Sequence, residues 1–102
     1  MKKYKVITFN VETKDGKNAE EKWLDASIQE TETIGIFKSL NEAKQKYEEI
    51  ETYVKYHGNY YDHFCKALVE LNYNQNFKEW QDRDWLFEYF PEEEEDYDDE
   101  EG

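Results

Sequence analysis

The sequence predicts an α+β fold, in which a small antiparallel β-sheet packs against one main α-helix and a disordered acidic tail follows. Three observations predict it. Runs of β-branched and aromatic residues alternate with period two, one long stripe recurs at spacings of three and four, and the charge gathers at one end. A chain of 102 residues has the size of one domain. Residues 1–91 are read as that domain and 92–102 as the tail.

Residues 4–12 make the first strand. Lys5, Ile7, Phe9 and Val11 share one side, and Tyr4, Val6, Thr8 and Asn10 share the other. Asp15-Gly16 is a turn signal, and the polar run 14–18 suits a hairpin loop. Residues 23–28 fit either a second strand or a short helix, with strand preferred, since Trp23, Leu24, Ala26 and Ile28 fix no period. Residues 34–37, Ile-Gly-Ile-Phe, form a short strand.

The main helix starts at a capping box, Ser39 followed three residues later by Glu42. It is expected over 40–56, with Leu40, Ala43, Tyr47, Ile50 and Val54 as its apolar stripe and Gly58 as its stop. In 61–73, Cys65, Ala67, Val69, Leu71 and Tyr73 alternate with Phe64 and Leu68 behind them, which predicts a strand with apolar groups on both faces. A turn is expected at 72–76. The aromatic block 77–90 suits either a helix or a loop with a strand over 85–89, and Pro91 ends it.

The composition narrows the function. Nine Tyr, six Phe and three Trp give a core from few residues and argue against a disordered body. Residues 1–78 hold 13 acidic and 12 basic side chains, a net charge of −1, whereas 79–102 hold 13 acidic side chains and Arg83, a net of −12. The tail has nine carboxylates in eleven residues. Nucleic-acid affinity comes from Lys and Arg displacing counterions, so direct binding of nucleic acid is not expected and a basic protein partner is. No run approaches the ~20 apolar residues of a membrane span, and an anionic surface would repel the chain. Cys65 is the single cysteine and the N-terminus lacks a signal-peptide pattern, so a cytoplasmic setting is expected, that of the host cell if the chain is phage-encoded.

His57, His63 and Cys65 include metal-ligand types within nine residues, but a zinc site takes about four ligands and only carboxylates such as Asp62 stand nearby. Cys65 is better read as a small core residue. No nucleophile elbow accompanies it, and Gly16, Gly35, Gly58 and Gly102 are too scattered to cradle a phosphate. The expectation is a protein that is not an enzyme and holds neither cofactor nor metal.

The remaining signal is the mixture of acids and aromatics after residue 78. Asp82, Asp84, Glu88, Glu92, Glu93, Glu94, Glu95 and Asp96 can take the places of phosphates on an Arg- and Lys-rich surface, with Trp85 and Tyr89 as anchors. In size, acidity and aromatic content, over the whole chain, the protein resembles the small phage and mobile-element inhibitors of bacterial defence, the anti-CRISPR and anti-restriction DNA mimics. Wording such as Lys2-Lys3-Tyr4-Lys5 and Glu42-Ala43-Lys44-Gln45-Lys46-Tyr47 is similar to that of low-GC bacteria and their phages. The resemblance implies an inhibitor that blocks the nucleic-acid groove of a defence nuclease. The alternative is an accessory or assembly domain of a phage or bacterial complex, acting as a homodimer through its helix stripe and sheet edge.

Overall fold

The computed structural model describes residues 2–93. It is an α+β protein, built in the order β1 (Lys2–Thr13), α1 (Ala19–Asp25), β2 (Glu32–Phe37), α2 (Leu40–Glu49), β3 (Tyr53–Tyr56), β4 (Tyr61–Asn74) and β5 (Glu79–Tyr89). All five strands belong to one antiparallel sheet.

The centre of the sheet is β4, whose alternating Cys65, Ala67, Val69 and Leu71 form a buried apolar row on one face. Along one edge it pairs with β1 over twelve consecutive positions, from Lys2 opposite Asn72 to Thr13 opposite Tyr61, without a break. Its other edge is divided. β3 occupies the positions opposite Tyr61 to Phe64, and β5 those opposite Lys66 to Asn74. β2 adds to the far side of β1 at Tyr4 to Thr8.

Each face of the sheet carries its own core, because both sides of β1 and β4 are apolar. On one face Ile7, Phe9, Val11, Cys65, Ala67, Val69 and Leu71 are buried beneath Ala19 and Trp23 of α1, with Trp80, Trp85 and Phe90 packed against them. On the other, Val6 and Leu68 meet Ala43 of α2, flanked by Tyr47 and Ile50 from the expected stripe. Ser39 caps α2 by accepting from the Glu42 amide at 3.4 Å. Lys66 crosses from β4 to the other end and donates to the carbonyls of Tyr47 at 2.7 Å and Ile50 at 2.9 Å. A cation thus sits where the helix dipole is negative.

Four expectations are corrected. The loop 14–18 leads into a helix and not into a hairpin. Residues 19–25 are good helix formers, and the signal is the pair Ala19 and Trp23, four apart and both buried, which the window 23–28 divides. The main helix ends at Glu49. Ile50 is already extended, and the β-favouring Tyr53 and Val54 continue as β3, so Gly58 at φ 95° lies beyond β3 and not at the helix end. The turn after β4 lies over 75–78, where Asn74 Oδ1 accepts from the Asn76 and Phe77 amides. Finally, 79–89 is one long strand. Two register shifts against β4, at Leu68/Val69 and Glu70/Leu71, break its alternation and hide it from a period-two reading.

Candidate partner-binding site

The acidic strand β5 pairs with β4 on one side and has no strand partner on its other side among the described residues. The register divides its proposed contact residues between the two faces. Asp82 lies opposite Leu71, Trp85 opposite Val69 and Glu88 opposite Ala67, on the α1 face. Asp84 lies opposite Glu70 and Tyr89 opposite Lys66, on the α2 face. They form a ridge around a free edge and not a single flat patch.

Their surroundings differ. Asp82 is neutralised by Lys5 at 2.9 Å. Arg83, the one cation after residue 78, lies 3.8 Å from Glu70, which Lys2 also approaches at 3.4 Å. Asp84 is exposed, and Tyr89 is 52% exposed. Trp85 is half-buried, its ring 5.6 Å from Phe9 and 6.4 Å from Trp23, so it builds the core while leaving part of itself at the surface. Glu88 meets Glu20 of α1. Burial pushes its carboxyl above the ordinary range, and the charge of Glu20 and a hydrogen bond to it add to the rise.

The base of the acidic segment is fastened to the sheet. His63 is wholly buried, with Nε2 2.6 Å from Thr13 Oγ1 and Nδ1 2.7 Å from the Pro91 carbonyl. Because the Pro91 carbonyl can only accept, Nδ1 donates to it, and with the proton on Nδ1 the Nε2 atom accepts from the Thr13 hydroxyl, whose oxygen also accepts from the Gly16 amide at 3.0 Å. Next along the chain, Glu92 accepts from the Asn18 amide at 3.0 Å and the Glu93 amide donates to the Gly16 carbonyl at 2.8 Å. Gly16 sits at φ 78°, and a Cβ there would lie 2.7 Å from Glu93 Cβ, so both the turn and the close approach require glycine. Glu94, Glu95 and Asp96 lie outside the described residues.

The residues with metal-ligand chemistry are placed otherwise. His63 is the latch just described. Cys65 is buried in the α1-face core, and burial pushes its thiol up to about 12, which leaves almost no thiolate at neutral pH. His57 stacks on Tyr60, 4.9 Å between ring centroids, and stands 3.9 Å from Asp62. Among the described residues no group of three or more His, Cys, Asp or Glu could hold a metal ion, and no helix is long and apolar enough to cross a membrane.

Sequence reasoning missed Glu20, whose approach to Glu88 depends on α1, and it missed the latch at His63. The signal for α1 was present in Ala19 and Trp23. No local pattern marked the latch, since its members come from β1, β4 and the segment after β5. Comparison with protein-family models, with curated proteins and with solved structures finds no match to this chain.

Proposed function

We propose that this protein is an acidic inhibitor that works by binding, occupying the nucleic-acid groove of a basic defence nuclease of the anti-CRISPR or anti-restriction target type. The observation that carries this reading is the placement of the charge. The stretch with a net charge of −12 begins on the one long strand whose outer edge is unpaired among the described residues, and just after that strand Pro91, Glu92 and Glu93 are hydrogen-bonded to His63, Asn18 and Gly16. A row of carboxylates with aromatic neighbours offers Arg and Lys the same charge-assisted hydrogen bonds that phosphates do. Steering by such a field speeds encounter and weakens as salt rises.

The test is a cleavage assay with guide-loaded CRISPR effectors and restriction nucleases, run with increasing inhibitor at two salt concentrations. Inhibition that is relieved by excess target DNA and by salt is the expected result. Cleavage unaffected in every member of the panel would remove the reading.

A second reading, an accessory or assembly domain acting as a homodimer, is favoured by one observation. The outer edges of β2 and β5 are both unpaired among the described residues, with Ile36 55% and Phe77 68% exposed near them. It predicts a doubled mass in solution that salt does not change.

A further inference from the structure

On the α1 face, where β5 passes the short helix, a cleft of about 340 Å³ opens to solvent. Its walls are the indoles of Trp23 and Trp85, 6.4 Å apart between centroids and inclined at 39°, with Phe90 beside them. Glu20 and Glu88 both line it. The Gln29 amide, also at the cleft, donates to the Trp23 carbonyl at 2.6 Å and holds the loop after α1 in place.

We propose that this cleft receives one cationic side chain of the partner, a guanidinium or an ammonium group. The inference rests on the acidic-inhibitor reading and names where on the ridge the partner is anchored.

Three features support it. The two carboxylates belong to separate elements and converge without any Lys or Arg in ion-pair reach among the described residues, whereas Asp82 has Lys5 and Glu70 has both Lys2 and Arg83. Burial of the Glu88 carboxyl, and after it the charge of Glu20 beside it, disfavour its ionised form and oppose folding at neutral pH. An arrangement that costs stability and has no structural benefit is the signature of a site kept for binding. The walls supply the rest, since indole faces attract cations and the apolar lining strips the stem of a Lys or Arg of its water.

The probes are hexa-arginine and hexa-lysine peptides, titrated into the full chain while the three indole N–H resonances are followed by NMR. Trp23 and Trp85 line the cleft, and Trp80, which lies under Lys3 at 4.6 Å, serves as the internal reference. The resonances of Trp23 and Trp85 are expected to move and that of Trp80 to stay. The double variant Glu20→Gln with Glu88→Gln should lose about tenfold in peptide affinity, as expected for charge-assisted hydrogen bonds. A double variant of the same net charge on exposed positions, Glu42→Gln with Glu51→Gln, should lose less than about twofold through screened long-range charge. Thermal melting confirms that both variants fold. Equal losses in the two variants, or equal movement of Trp80, would overturn the cleft while leaving the acidic-inhibitor reading intact. No binding of either peptide would overturn both. Whether arginine or lysine binds more tightly tells which cation the cleft takes.

Discussion

The two edges of β4 are built differently. Against β1 it makes an unbroken ladder in which Val6, Ile7, Phe9 and Val11 are buried, and the two strands carry both cores. Against β5 the register shifts twice, most of the β5 residues are exposed, and three of the five strand positions proposed for contact are carboxylates. The first edge is explained by folding alone. The second carries Asp84 and Glu88, which have no ion-pair partner among the described residues, and the proposed partner contact is placed there for that reason.

The largest test of that contrast is a cut into the first region. Phe9 contacts Trp23 at 4.2 Å, Phe90 at 5.3 Å and Trp85 at 5.6 Å, so Phe9→Ala should cost about 3–5 kcal/mol in urea unfolding. A loss under about 1 kcal/mol, typical of a surface position, would break the comparison at its base.

The latch joins the two regions and should give an intermediate effect. His63→Ala leaves the Pro91 carbonyl without its buried donor and removes a buried ring, an expected loss of about 3 kcal/mol. Gly16→Ala should cost about 1–2 kcal/mol for the left-handed backbone, and more if Glu93 cannot move aside. Amide exchange should then quicken at Glu93 before it does in β4.

In the second region the smallest effect is expected, and with the opposite sign. The Glu88 carboxyl is held above its ordinary value, so its contribution to stability is fully present below about pH 4.5 and is lost as pH rises through the raised value. Glu88→Gln should therefore stabilise the protein at neutral pH, by no more than about 0.5 kcal/mol given solvent screening, and the gain should vanish in acid. A variant less stable at neutral pH would show that Glu88 has an unrecognised structural partner.

The legibility of the fold follows the same division. β1 and β4 were readable because buried faces impose period two on their residues, and the start of α2 was readable because Ser39 and Glu42 form a local cap. β5 was hidden by its bulges, α1 by its brevity, and the end of α2 by a stripe that Val54 continues into a strand. The charge of the site was plain in the sequence. Its geometry was not, because Glu20 meets Glu88, and His63 meets Pro91, only through tertiary packing.

The central claim is that β5 and the segment after it, and not acidity at large, engage the partner. It is tested most directly by comparing two triple variants of equal net charge in the nuclease cleavage assay. Glu79→Gln with Asp84→Asn and Glu88→Gln neutralises β5. Glu30→Gln with Glu42→Gln and Glu51→Gln neutralises exposed positions elsewhere. Loss of inhibition in the first with inhibition retained in the second is the predicted result, and equal potency of the two would contradict it.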